Sequence, residues 1–181
     1  MRVRGANAMP RVIIFTDYEC GACRLLERLI PRVSRQLDEL GLGYVQTPLP
    51  GHSVAAVAAR ASVCADAQRN FAAYHSALFA ERSLRDSPWL SIAARLDGID
   101  TVAFTKCMGG DSSRSVVNQH QKLGEQLGVV GTPTILVDRV VYVGLPSGFP
   151  KILDAALEKR TARQSLSGVS VAGARIGEVT P

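Results

Sequence analysis

The sequence predicts an α/β protein in which a block of helices is inserted into a small sheet. Two strand-like runs come before residue 50, a helical block of about 75 residues follows, and two further strand-like runs and a helix close the pattern. We therefore expect an α/β domain formed by 11–50 and 129–160, an inserted all-helical domain at 51–128 between the second and third strands, and a tail at 161–181.

The first elements follow from local patterns. RVIIFT at 11–16 is the first predicted strand, because successive apolar residues suit a strand that is buried on both faces. Apolar residues then recur at helical spacing until the glycines of GLG at 41–43. Pro31 lies inside this helix and has no N–H for the carbonyl of Glu27, so we expect a kink. YVQT at 44–47 is the second predicted strand.

The middle of the chain, 53–128, contains helical patterns and no strand pattern. Its first part predicts one long helix or two. Ser87 and Asp100 are expected to cap the starts of two later helices, because their side-chain oxygens can accept hydrogen bonds from unpaired backbone N–H groups.

Strand periodicity returns after the helical block. TILVD at 134–138 and VVYVG at 140–144 are separated only by Arg139, which predicts an antiparallel hairpin. The segment PKILDAALEKR then predicts a closing amphipathic helix.

Composition and charge argue against several classes of protein. A hydrophobic content of 46% with 20% charged residues argues against disorder over most of the chain. The net charge of +5 comes from scattered Lys and Arg without interleaved aromatic residues, so we expect no nucleic-acid partner. No apolar run approaches the roughly 18 residues of a membrane span. Residues 1–12 have no apolar core, so no secretory signal is expected there.

Cys20 and Cys23 lie at the predicted junction of the first strand and the first helix. At the helix start, Cys20 would lie beside unpaired N–H groups and the positive end of the helix dipole, which favour a thiolate. Cys23 would lie one turn further into the helix, where it can attack a mixed disulfide at Cys20. Gly21 has no side chain to block the approach of a substrate to the sulfur of Cys20. Zinc would need a second close ligand pair, which Cys64 and Cys107 do not provide, so a redox centre is favoured over a metal site.

Acidic residues and histidines near the motif support several interpretations. Three carboxylates could shuttle a proton to a leaving thiolate, although solvated surface charge also explains them: Asp17, Glu19 and Glu27. His52 and His120 are isolated in the sequence. His75 lies on an apolar stripe and is expected to be a hydrogen-bonded core residue. Tyr18 and Trp89 are expected to pack, and Tyr18 could also line a substrate groove.

A second motif precedes the third predicted strand. Thr132 and Pro133 lie directly before it, at the one place in a strand where a missing backbone donor is tolerated. Together, FTDYECGACRLLE at 15–27 and GVVGTPTILV at 128–137 resemble the thioredoxin superfamily. The helical insertion narrows this resemblance to the DsbA-like thiol:disulfide oxidoreductases, and it covers roughly 11–159.

The resemblance implies a thioredoxin-like fold and a role for each matching residue. Cys20 would be the nucleophile and Cys23 the resolving cysteine. Pro133 would be a cis-proline that faces both, and the backbone of Thr132 would pair with an extended substrate. The residues implied in substrate binding are Tyr18, Gly21, Ala22, Thr132 and Pro133. Because Gly21 and Ala22 replace the histidine of the strongest oxidants, we expect a milder redox potential.

CADAQRNFAAYHSALF at 64–79 and FTKCM at 104–108 resemble a branch of this family that carries an extra cysteine pair. This implies a disulfide between Cys64 and Cys107, with two separate buried thiols as the alternative. The bond would indicate an oxidising compartment, and hence the periplasm or the exterior of the cell envelope.

The expected function is that of an enzyme which exchanges disulfides with cysteine-containing exported proteins or peptides. Because the cysteines carry the chemistry, no cofactor or metal is expected, whereas a redox partner must regenerate the working state. Whether it oxidises, reduces or isomerises its substrates stays open. The alternative is a noncatalytic peptide-binding or chaperone module in which a bond between Cys20 and Cys23 is only structural.

Overall fold

The computed structural model describes residues 2–4 and 10–167 of the chain. A 3₁₀-helical turn, Ile30–Val33, joins the first two helices. The elements in chain order are β1 (Arg2–Arg4), β2 (Val12–Thr16), α1 (Gly21–Leu29), α2 (Ser34–Leu40), β3 (Leu42–Gln46), α3 (Ala55–Ala67), α4 (Phe71–Ala80), α5 (Trp89–Arg95), α6 (Thr101–Gly109), α7 (Asp111–Gln126), β4 (Thr134–Val137), β5 (Val140–Val143) and α8 (Phe149–Ser167).

The described strands form one mixed sheet in the order β1-β3-β2-β4-β5. β2 pairs with β3 in parallel and with β4 antiparallel, while β1–β3 and β4–β5 are also antiparallel. β2 therefore has neighbours on both sides, and Val12, Ile14 and Phe15 are buried. This agrees with its continuous apolar sequence. The predicted hairpin is confirmed, with Asp138 at positive φ in its turn.

α3 to α7 lie between β3 and β4, which are the second and third strands of the sequence prediction. The predicted fold class, a thioredoxin-like fold with an inserted all-helical domain, is therefore confirmed. The disulfide Cys64–Cys107 joins α3 to α6 with an S–S distance of 2.01 Å. α1 lies between two cores, because Leu26 packs with the sheet while Cys23 packs with the inserted helices.

Several local expectations change in the structure. β1 is an additional strand, because its backbone pairs with β3 although RVR has no strand-like apolar pattern. Pro31 lies in the 3₁₀ turn, where the predicted kink occurs. Asp100 caps α6 as predicted, since its carboxylate accepts hydrogen bonds from the N–H groups of Val102 and Ala103. Ser87 does not cap α5: it lies at positive φ, and Pro88 holds the N-cap position before the first helical residue, Trp89.

The C-terminal helix is longer than the sequence predicts. α8 continues to Ser167, past the expected boundary at 160, and the Thr161 hydroxyl donates to the carbonyl of Leu157 at 3.2 Å. The rest of the predicted tail, 168–181, lies outside the described residues. Within the part that the structure describes, no helix has both the length and the apolar character needed to cross a membrane.

Candidate active site

Cys20 is the N-cap of α1, at the junction that the sequence predicts. Its extended backbone, with φ −74° and ψ 119°, directs the sulfur toward the start of the helix, where Sγ accepts a hydrogen bond from the N–H of Cys23 at 3.4 Å. Both cysteines are free thiols; Cys20 is half-buried and Cys23 is buried. The arrangement presents one sulfur to solvent and keeps the other one turn inside.

The loop before β4 lies against this helix start. The Thr132–Pro133 peptide bond is cis, and the thiol of Cys20 donates to the carbonyl of Thr132 at 3.1 Å. The carbonyl of the buried Pro133 accepts from the N–H of Gly144 at 2.7 Å, which ties the loop to the end of β5. The structure thus brings together the two motifs that lie furthest apart in the sequence prediction.

The two thiols differ in acidity. The pKa of Cys20 is lowered to about 5, chiefly by its hydrogen bond with the Cys23 thiol, and burial opposes this effect. The side chain of Thr132 and the backbone N–H groups of Ala22 and Cys23 lower the pKa of Cys20 further. The pKa of Cys23 is raised, because the same hydrogen bond and burial favour its protonated form. At neutral pH the negative charge therefore lies on Cys20, the more accessible sulfur.

The alkylation of Cys20 is expected to depend on pH in a simple way. Because iodoacetamide reacts with the thiolate, its rate should rise through a midpoint near pH 5, the pKa of Cys20. Mass analysis after a timed pulse at each pH measures this midpoint. Cys23 serves as the internal control and should stay unmodified, since it is buried and its pKa is raised. A midpoint above about pH 8, as in an ordinary thiol, would contradict the assignment.

Two acidic residues before the motif are bound by backbone groups of another segment. The buried carboxylate of Asp17 accepts from the N–H groups of Glu19 and Leu49, each at 2.7 Å. The carboxylate of Glu19 accepts from those of Val54 and Ala55, each at 2.8 Å, at the start of α3. These side chains join the β2–α1 loop to the segment before α3, so they are not solvated surface charges.

A buried polar cluster lies beneath the motif. The hydroxyl of Tyr18 is 2.7 Å from Nδ1 of His75, and Nε2 of His75 is 3.3 Å from the carboxylate of Glu27. Tyr44 donates to the other oxygen of Glu27 at 3.3 Å. His75 is therefore a hydrogen-bonded core residue, as predicted. No periodicity in the sequence groups these four residues, which come from four different parts of the chain.

The expectation that Tyr18 lines a substrate groove is wrong, because its side chain is 0% exposed. Its hydroxyl is hydrogen-bonded to Nδ1 of His75, and its ring packs against that of Phe79 with centroids 4.8 Å apart. Gly21 and Ala22 are exposed and available to a substrate. A Cβ at Gly21 would meet no atom within 4 Å, so glycine here leaves the approach open without relieving a clash.

His52 is the residue that the sequence analysis missed. Isolated in the sequence, it lies in the structure with Nδ1 2.8 Å from the carboxylate of Asp17. No sequence signal links a histidine after β3 to an aspartate after β2. Across the described ranges 2–4 and 10–167, no group of three or more His, Cys, Asp or Glu side chains is placed to hold a metal ion.

Comparisons with known proteins agree with this geometry. A family model described as Thioredoxin matches residues 2–155. A search of curated protein sequences finds no significant match. Among solved structures, the chain is similar to a thioredoxin-like oxidoreductase from Silicibacter pomeroyi DSS-3, with 26% sequence identity and a TM-score of 0.71 over 83% of this chain and 86% of the other.

Two more distant structures share the fold. The thiol-disulfide exchange protein alpha-DsbA2 from Wolbachia pipientis is 21% identical, with a TM-score of 0.72 over 90% of this chain and 86% of the other. The catalytic domain of Proteus mirabilis ScsC is 19% identical, with a TM-score of 0.65 over 86% of this chain and 88% of the other. The assignment expected from the sequence is thereby confirmed: the chain belongs to the thioredoxin family and has the fold of its DsbA-like members.

Proposed function

We propose that the protein is a thiol:disulfide oxidoreductase that exchanges disulfides with exported proteins or peptides through Cys20 and Cys23. One observation carries the proposal. Cys20 caps a helix as a half-buried sulfur of lowered pKa, 3.1 Å from the Thr132 carbonyl of the cis-proline loop, while Cys23 is buried one turn away. A purely structural crosslink needs neither a thiolate nor an open face on one sulfur.

The exchange proceeds in two displacements. The thiolate of Cys20 attacks one sulfur of a substrate disulfide, and the other substrate sulfur leaves as a thiolate that takes up a proton. Cys23 then loses its proton and attacks Cys20, which releases the second substrate thiol and leaves a Cys20–Cys23 disulfide. The substrate is reduced by two electrons and the protein is oxidised by two. The same steps in reverse oxidise a substrate dithiol.

A substrate would lie across the loop before β4. Val130 is 87% exposed, Gly131 and Thr132 are half-buried, and the carbonyl of Thr132 contacts the sulfur of Cys20. An extended peptide there can pair with backbone groups of Thr132 in the manner of an added strand. Gly21, which follows Cys20, is exposed, and even a Cβ there would meet no atom within 4 Å, so it leaves room for the substrate's own cysteine.

We place the protein in the periplasm or on the exterior of the cell envelope. The Cys64–Cys107 disulfide supports this, because such bonds persist in oxidising compartments. The structure is also similar, with a TM-score of 0.64, to a periplasmic thioredoxin-like protein from Salmonella enterica serovar Typhimurium. A redox partner there would return Cys20 and Cys23 to the working state.

Equilibration with glutathione tests the proposal. Across a series of reduced and oxidised glutathione ratios, alkylation and mass analysis should show Cys20 and Cys23 interconverting reversibly as a two-electron couple. With a pKa of about 5 at Cys20, we expect a potential less oxidising than the roughly −120 mV of the strongest oxidants. Cys64 and Cys107 should stay oxidised throughout and serve as the control.

Two results would count against these statements. A Cys20–Cys23 disulfide that mild reductant does not reduce would support a noncatalytic peptide-binding module instead. A potential as oxidising as that of the strongest members would leave the exchange reaction intact but would contradict the milder potential.

A further inference from the structure

His52 lies in the segment between β3 and α3, against the loop that carries Cys20. Its Nδ1 is 2.8 Å from Oδ2 of Asp17, whose carboxylate is buried, while the side chain of His52 is 32% exposed. The backbone carbonyl of the same aspartate accepts the N–H of Cys20 at 3.2 Å. The pair formed by His52 and Asp17 is therefore built into the turn that places the nucleophilic sulfur.

The surroundings of His52 favour its charged form. Its pKa is raised, mainly by the hydrogen bond that its ring makes to the carboxylate of Asp17; burial opposes this, and the charges of Asp17, Glu19 and Cys20 add to it. Glu19 is held by backbone N–H groups at the start of α3. On the α7 side, the amide of Gln121 donates to the carbonyl of Pro48 and brings no charge.

Coulombic coupling between two sites is reciprocal. Asp17 joins His52 to the turn that holds Cys20, and the charge of Cys20 makes the smallest of these contributions to the raised pKa of His52. A positive charge on His52 therefore favours the Cys20 thiolate in return. Gly21 and Ala22 supply no cation between the two cysteines. Arg24, the next cation along α1, donates instead to the carbonyls of Phe79 and Glu81.

We infer that His52 is a positioning residue of the redox centre: held by Asp17, its imidazolium stabilises the Cys20 thiolate from outside the cysteine motif. The inference rests on the redox function proposed above. Since the pKa of His52 is raised, its charge is present at acidic pH and is lost as pH rises through that raised pKa. The thiolate, and with it the reduced protein, is then stabilised less at alkaline pH.

Three variants test this inference by the pH midpoint of Cys20 alkylation. His52→Gln should raise the midpoint by about 0.5 to 1 pH unit, a three- to tenfold loss of thiolate below it, because a partly exposed charge acts more weakly than a direct contact. His52→Lys should keep the midpoint near that of the wild type, since it restores the positive charge opposite Asp17. His120→Gln is the matched control.

His120 suits the control because His120→Gln makes the same substitution at a histidine that carries no charge near neutral pH. Burial lowers its pKa to about 4, so it is neutral over most of the titration, and its Nδ1 accepts the N–H of Gln46 at 3.2 Å. Its replacement should leave the Cys20 midpoint unchanged. The equilibrium potential in glutathione buffers should shift in the same order, with His52→Gln more reducing than the wild type and His52→Lys unchanged.

The outcomes separate this inference from the proposed function. If His52→Gln still exchanges disulfides and keeps the wild-type midpoint, His52 has no electrostatic role and the inference fails alone. If His52→Gln and His52→Lys raise the midpoint equally, the effect is one of shape and the inference also fails. If the wild type itself shows no reversible exchange, the proposed function fails first.

Discussion

Replacing Cys23 with alanine is expected to leave substrates attached to Cys20 as stable mixed disulfides. The first displacement needs only the Cys20 thiolate, which stays accessible on the N-cap of α1. The second displacement needs Cys23 as the attacking thiol, so the mixed disulfide should persist for minutes to hours, at least about 100-fold longer than in the wild type. Incubation with a disulfide-containing peptide, followed by non-reducing separation and mass analysis, measures the adduct.

Two controls show whether the adduct arises by the proposed exchange at Cys20. Cys20→Ser should form no adduct, because the remaining thiol, Cys23, is buried and cannot reach the substrate. The double variant Cys64→Ala/Cys107→Ala, which leaves the motif untouched, should turn over adducts as fast as the wild type. If Cys23→Ala forms no adduct while Cys20 stays reactive toward iodoacetamide, the two-step exchange is refuted.

Removing the Cys64–Cys107 disulfide is expected to lower the free energy of unfolding by about 4 kcal/mol. In the chain-entropy model this follows from opening a loop with a sequence separation of 43 in the unfolded state. The bond joins α3 to α6 and lies in the core of the inserted helices, so its loss also weakens the packing there. Denaturant unfolding of Cys64→Ala/Cys107→Ala beside the wild type measures the change.

The matched control for stability is the double variant Cys20→Ala/Cys23→Ala. It is compared with wild-type protein in which Cys20 and Cys23 are reduced and the Cys64–Cys107 bond is intact. It also removes two cysteines, but these are free thiols and close no loop, so the change should be much smaller. Equal unfolding midpoints for Cys64→Ala/Cys107→Ala and the wild type would show that the bond adds nothing to stability.

Local sequence patterns predicted most of the fold. The apolar run of β2, the hairpin of β4 and β5, and the start of a helix at Cys20 each depend on neighbouring residues, whose preferences act over a few positions. β1 escaped prediction because RVR has no such preference, and its conformation comes from pairing with β3 about 40 residues later. Ser87 was expected to cap α5, but the helix begins one residue later than the Ser87–Pro88 pattern predicts, with Pro88 at the N-cap.

By itself the sequence determined where the reactive sulfurs lie along the chain: at the end of a buried strand, with Cys20 opening a helix and Cys23 one turn inside. Only the tertiary structure decided what surrounds them. The contact of Cys20 with Thr132 spans 112 positions, and that of Asp17 with His52 spans 35. Such contacts depend on how the strands pair in the sheet and on where the inserted helices pack, and no short-range periodicity specifies either.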